Sequence, residues 1–209
     1  MKLSNILIVL ASVFLWNANV YGQTPPPPTP PSWSFSASAA TYVLPESTYV
    51  QPSFIADRDW LHLEYRHNYE SLSTGSLWFG YNFSGGKKLQ WEFTPLIGWV
   101  FGETTGVAPG FKGSLAWWKL EFYTENEYVA DTNYRSDSFF YDWSELSLYP
   151  VDWFRLGLVT QRTRAYQSER EIQRGILAGG SFKWLNLTGY AFNPDDDEPF
   201  YVFSAEVTF

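Results

Sequence analysis

The chain has 209 residues, 45% apolar and 20% aromatic but only 17% charged, with 11 tryptophans, no cysteine and a formal net charge of −8. That length allows one domain or two small ones, and no apolar run of ~20 residues follows the N-terminus, which excludes a helical membrane protein. The acidic balance, with a pI near 4.7, leaves no basic footprint for nucleic acid, and without cysteine no disulfide-stapled scaffold can form.

In chain order, Met1 and Lys2 give a short positive start, Ile6 to Trp16 an apolar core, and Val20-Tyr21-Gly22 a cleavage site. This predicts a secretory signal peptide over residues 1–22. Residues 23–32, QTPPPPTPPS, are expected to form an extended polyproline spacer that cannot enter a sheet as a central strand. From Trp33 to Phe209 the pattern changes to alternation of apolar and polar residues over segments of about ten, punctuated by Gly, Pro, Asn and Asp. Leu61, Leu63 and Tyr65 share one face with His62, Glu64 and Arg66 on the other, and Leu89, Trp91 and Phe93 alternate likewise with Lys88, Gln90, Glu92 and Thr94.

The same test along the chain predicts strands near 33–44, 49–57, 60–69, 75–84, 88–101, 107–117, 119–128, 138–149, 153–165, 172–183, 185–192 and 200–209. Twelve is an even number, as a single-chain bacterial barrel requires. Ten is the alternative, because the segments near 33–57 and 138–149 alternate least cleanly. Connections near 57–59, 84–87, 117–118, 150–152 and 183–184 are short, and Trp60, Trp91, Trp117, Trp118, Trp153 and Trp184 fall beside them. Indoles in a ring beside short turns suit a membrane interface. The expected fold is therefore all-β, an antiparallel transmembrane barrel of twelve strands.

The cleavable leader, the ten-residue alternating strands and a last strand ending in Phe203, Ala205, Val207 and Phe209 resemble Gram-negative outer-membrane β-barrel proteins. The resemblance implies residence in the outer membrane, contact with its lipid and lipopolysaccharide, and recognition of terminal Phe209 by the barrel-assembly machinery. In length and strand number the chain is also similar to the small twelve-stranded oligosaccharide-specific porins. It shares no motif with them and lacks an evident basic lining, so their substrate does not carry over.

If the apolar parity faces lipid, the other parity faces the lumen. The candidate pore-lining residues are His62, Glu64, Arg66, Glu92, Lys112, Glu121, Glu125, Glu127, Glu145, Arg155 and Glu206, with Lys88 and Lys183 at the ends of their segments. Twelve strands lie between a barrel filled by its own side chains and one with an open channel. One reading is a narrow, weakly cation-favouring pore for ions or small solutes. The alternative is a closed structural or surface-interaction barrel whose charges pair across the lumen, and an outer-membrane enzyme comes third.

Continuing the lipid-facing parity of Phe154, Leu156 and Leu158 puts Arg162 and Arg164 outside, and Arg174 joins them on the return strand. A loop symmetric about Ser168 would set Arg162 opposite Arg174, where like charges repel. An anion should then sit between them, and the three arginines are expected to contact lipopolysaccharide phosphate through bidentate forks. Neutralisation by Glu169 and Glu171, or a one-residue register shift, is the competing account.

No catalytic constellation emerges. His62 and His67 have opposite parity and cannot share a metal from one face, and no serine is placed beside His62 in a hydrolase motif. The acidic run Asp195 to Glu198 lacks the spacing of a calcium loop. No cofactor or metal is expected, and the sequence is read as a non-enzyme whose oligomeric state it does not specify.

Overall fold

The computed structural model describes residues 32–165, 171–195 and 198–209. The predicted signal peptide and all but the last residue of the spacer therefore lie outside the described residues. Regular structure is almost entirely strand, plus one 3-10 turn at Arg135–Asp137 among the described residues. The first strands are β1 (Ser34–Val43), β2 (Thr48–Arg58), β3 (Leu61–His67), β4 (Thr74–Tyr81) and a three-residue β5 (Phe83–Gly85). Next come β6 (Leu89–Gly102), β7 (Gly106–Trp117), β8 (Leu120–Asp131) and β9 (Phe139–Val151). The chain closes with β10 (Phe154–Ala165), β11 (Glu171–Phe182), β12 (Leu185–Phe192) and β13 (Phe200–Thr208).

Sequential strands pair antiparallel around the ring, β1 pairs with β13, and both β4 and β5 pair with β6. β4 and β5 hold one register against β6, from Thr74↔Gly102 to Gly85↔Trp91, and are one stave interrupted at Asn82. The result is a closed barrel of twelve staves. The interruption frees the Asn82 side chain to work inside, where it donates to Asp57 at 2.9 Å and accepts from Thr94 at 2.8 Å. Register partners beginning at Leu89 run through Trp117, Leu120, Leu148, Leu156, Ala178, Gly189 and Phe203 to Thr41. That row climbs from one rim toward the other, as expected for strands tilted by about 40°.

One rim carries only two- or three-residue turns, at 59–60, 86–88, 118–119, 152–153 and 183–184. Asp59, Trp118 and Lys183 enter three of these turns with φ of 55°, 56° and 56°, the positive φ on which tight hairpins rely. Lys88 and Lys183 therefore belong to the turns of this rim and not to the lumen. The opposite rim carries longer connections at 68–73, 132–138 and 193–199.

Outward residues are apolar and exposed, among them Phe54, Leu63, Leu77, Phe79, Ile97, Trp99, Leu146, Leu158 and Phe203. Trp60, Trp91, Trp117, Trp118, Trp153 and Trp184 are all exposed and gather at the short-turn rim. An apolar wall with an indole girdle is the surface of a transmembrane barrel, and the short turns mark the periplasmic side.

The inner face is packed closely enough that small residues are required at some positions. A Cβ on Gly98 would stand 2.7 Å from the Trp78 ring across the ladder. Trp78 is 3% exposed and its N–H is bonded to Ser76 and Glu70, so it has nowhere to move. Gly98→Ala should cost about 1–3 kcal/mol, read as a lowered urea midpoint in vesicles. Gly113→Ala, whose Cβ meets nothing nearer than 3.8 Å, should leave the midpoint unchanged.

Candidate functional site

The interior divides into two halves along the barrel axis. Toward the periplasmic rim the inward residues are small or acidic, Arg155 apart, and partly exposed: Ser34, Ser36, Ser38, Asp57, Ser114, Glu121 and Glu206, with Glu92 exposed at the mouth. Toward the extracellular rim they are buried. The boundary is a charged layer centred on Arg66, which is fully buried.

Arg66 on β3 reaches across the lumen to β8. Its Nη1 lies 2.7 Å from Glu125 and 2.9 Å from Glu127, and its Nη2 donates to Glu64 at 3.1 Å. Arg66 Nε is 3.0 Å from Glu64 Oε1 but its N–H is not aimed there, so that contact is ionic without a hydrogen bond. The guanidinium is held between two rings, 4.5 Å from the Trp78 centre and 4.4 Å from the Tyr69 centre. Lys112 on β7 adds a contact to Glu64 at 2.7 Å. His62 continues the layer toward the vestibule, bridging Glu64 at 3.3 Å and Asp57 at 2.8 Å.

A second ionic group lies on β9, β10 and β12. Arg155 contacts Glu145 at 2.7 Å and Thr188 at 3.1 Å, and the Tyr190 hydroxyl donates to Glu145 at 2.8 Å. Above both groups the lumen is filled by apolar and aromatic side chains. Tyr42, Val159, Leu177, Tyr190, Phe192, Phe200 and Val202 form one cluster, and Trp78, Leu96, Val100, Ala108 and Val129 the other. Tyr69, from the β3–β4 connection, inserts between them, donating to Glu125 at 3.1 Å and packing edge-on against Tyr141 at 5.6 Å. Its neighbour Glu70 is buried too, accepting from Ser76 and Trp78. The predicted strand 60–69 gives Tyr69 the outward parity of Leu61, Leu63 and Tyr65 and leaves Glu70 beyond it, whereas β3 ends at His67 and both residues turn into the barrel.

All eleven candidate lining residues point inward. His62, Glu64, Arg66, Lys112, Glu125 and Glu127 are joined in the first network, Glu145 and Arg155 in the second. Glu121 accepts from Tyr149 at 2.9 Å, whereas Glu92 and Glu206 have no ion pair or hydrogen bond among the described residues. His67 faces outward, away from His62 and Glu70, and no cluster of metal ligands occurs among the described residues.

Arg162 and Arg174 face outward as expected, but the register differs: Arg162 pairs with Ile172, and Thr160 with Arg174. The hairpin is centred one residue earlier than symmetry about Ser168 requires, so the two arginines are diagonal neighbours. Each also meets an acid. Asp142 is the register partner of Arg162 on β9, and Arg174 Nη2 lies 2.6 Å from Asp195. The Arg174 guanidinium holds the exposed Asp195 carboxyl below the ordinary aspartate range. The Arg164 side chain and residues 166–170, including Ser168 and Glu169, lie outside the described residues. Phe209 sits at the periplasmic rim, 75% exposed, its backbone exchanging 2.9 Å hydrogen bonds with Phe35.

A closed twelve-stave antiparallel barrel with a charged interior and an aromatic-girdled exterior is the architecture of porin-like outer-membrane proteins. No protein-family model matches the sequence, and no curated protein matches it. Among solved structures, a KdgM porin superposes with a TM-score of 0.60 at 7% identity, covering 83% of this chain and 99% of that one. A KdgM porin in complex with disordered oligogalacturonate gives 0.59 at 8% identity, with 83% and 99% covered. A NanC porin gives 0.52 at 9% identity, with 83% and 98% covered. At these identities the likeness is one of fold.

Removing the Arg66 guanidinium would leave Glu64, Glu125 and Glu127 buried without their shared counter-ion, a loss of about 3–5 kcal/mol. Arg66→Ala should therefore lower the urea midpoint far more than Glu127→Gln, because Glu127 Oε1 already lacks a partner and acids outnumber bases in the layer. Equal shifts would contradict this network.

Proposed function

We propose that the protein is an outer-membrane channel for small cations and neutral solutes, entered from an acidic periplasmic vestibule and shut in this structure by the Arg66 layer together with the apolar side chains packed above it. The observation carrying the reading is the unequal pairing of interior charge. Arg66, Lys112 and Arg155 each sit 2.7 Å from a carboxylate, while Glu92 and Glu206 face the vestibule without an ion pair among the described residues, Lys112 and Arg155 reaching Glu206 only at longer range. A low-dielectric wall concentrates that residual negative field on the lumen, favouring cations over anions. The porin neighbours support transport as the role of such a barrel.

A second reading, a closed scaffold, is favoured by the near-complete burial of Val100, Val129, Phe192 and Val202 above the layer. Conductance across planar bilayers separates the two. The wild type should show rare, small events that favour K⁺ over Cl⁻. Tyr69→Ala, which withdraws the inserted ring, should raise the open time about tenfold, and Arg66→Ala should do the same where it folds. Glu92→Gln combined with Glu206→Gln should bring the cation preference toward unity. Silence from the wild type and from Tyr69→Ala alike would establish the closed scaffold.

A further inference from the structure

On β6 every outward residue from Leu89 to Phe101 is apolar, Leu, Trp, Phe, Pro, Ile, Trp and Phe in turn. On β8 to β11 that wall is broken. The lipid-facing parity of Phe122 and Tyr128 contains Thr124 and Asn126; that of Leu146 and Phe140 contains Ser144 and Asp142; that of Leu158 contains Thr160 and Arg162; that of Ile176 contains Arg174. The register aligns Asn126, Asp142 and Arg162 in one row and Thr124, Ser144, Thr160 and Arg174 in the next.

These groups are already knit together. Thr124 and Ser144 hydroxyls are 2.9 Å apart, Ser144 donates to Asp142 at 3.3 Å, and Asn126 donates to Thr124 at 2.8 Å. Arg162 lies with its guanidinium carbon 5.5 Å from the Phe140 ring centre, and its Nε has no hydrogen-bond partner. On β8, β9 and β11 the next outward residues toward the extracellular rim are Tyr128, Phe140 and Ile172, with Arg164 next on β10, so apolar positions flank the patch on three of its four strands. An outward arginine is costly at the bilayer midplane and nearly neutral near the interface. A polar network of this extent between apolar neighbours is stable when another polar surface covers it.

The geometry points to a second copy of this chain as that cover. Two copies in one membrane share an orientation, so their two-fold axis runs along the membrane normal and each residue meets a partner at its own height. Strand tilt places Asp142, Arg162 and Arg174 within about 3 Å of one height. The acid lies on β9 and the bases on β10 and β11, either side of the Ser144–Thr160 pair. An axis through that pair sets Asp142 against Arg162 and Arg174 of the second copy, and hydroxyls against hydroxyls. Below, Leu146, Leu148, Leu156, Leu158, Ile176 and Ala178 line a shallow apolar groove on the same strands, continuing the face toward the periplasm. An anionic lipid headgroup fits less well, because Asp142 shares the patch with the arginines.

The cysteine-free chain makes the test direct. Ser144→Cys and Thr160→Cys, refolded at low density into phosphatidylcholine vesicles and mildly oxidised, should cross-link into a species of twice the mass, whereas Phe54→Cys on β2, across the barrel from β9 and β10, should stay monomeric. Asp142→Arg and Arg162→Asp should each reduce the wild-type dimer at least tenfold, and the two together should restore it. Heat-modifiable migration reports folding throughout, and the cysteine variants keep the charges and test the face even where a reversal fails to fold. A monomeric wild type in these vesicles overturns the proposal, as does a dimer that the Ser144 and Thr160 positions do not capture. Association appearing only after lipopolysaccharide is added also overturns it and assigns the patch to lipid phosphate.

Discussion

Inside hydrocarbon a peptide group has no water to bond, so every stave of this chain must be paired on both edges, and only a closed sheet achieves that. Closure fixes nearly everything else. It obliges β4 and β5 to keep a single register against β6 across the Asn82 break, and it brings β1 and β13 together at a seam whose last bonds join Phe35 and Phe209. It also separates the alternating residues onto two surfaces with opposite solvents. The slightly polar mean hydropathy of −0.24 is thus an average over an apolar wall and an ionic interior.

That separation explains why the fold was legible in the sequence. Period-two alternation is a local property, and it located all twelve staves to within a few residues, including the weak segments that left ten strands open. It also assigned His62, Glu64, Arg66, Glu125 and Glu145 to the inner face, because parity carries along a strand. What parity cannot carry is distance around the ring. Arg66 and Glu127 are 61 residues apart, and their meeting depends on tilt and register accumulated over several hairpins. Tyr69 and Glu70 were missed because alternation carried to residue 69 gives Tyr69 outward parity, whereas β3 ends at His67 and the chain turns back into the lumen. The offset between Arg162 and Arg174 was misjudged for a related reason: loop composition does not fix where a hairpin is centred, and one residue changes every cross-strand partner.

The outer surface shows the same rule under strain. Along β8, β9 and β10 the alternation continues without a bulge through the polar stretch, so the sheet does not rotate Asp142 or Arg162 inward to suit a lipid exterior. Backbone pairing takes precedence over side-chain solvation, since breaking the ladder would expose several peptide groups at once. Side chains on the wrong face for lipid therefore carry a cost that grows toward the bilayer midplane unless something other than lipid meets them.

The interior holds two kinds of filling, and their difference bears on function. Near the extracellular rim the lumen is filled by Phe192 stacked on Phe200 at 4.7 Å and by apolar side chains around Val100 and Val129. At mid-height it is crossed by charges whose desolvation cost apolar residues of similar volume would not incur. A layer serving only to close the barrel would gain stability from such residues. An ionic layer differs in that water and ions can compete for its members once they reach it, and the acidic vestibule leads directly to Asp57 and His62 at its edge. The costlier filling therefore lies where the path from the periplasm ends, the position that the proposed channel assigns to its constriction.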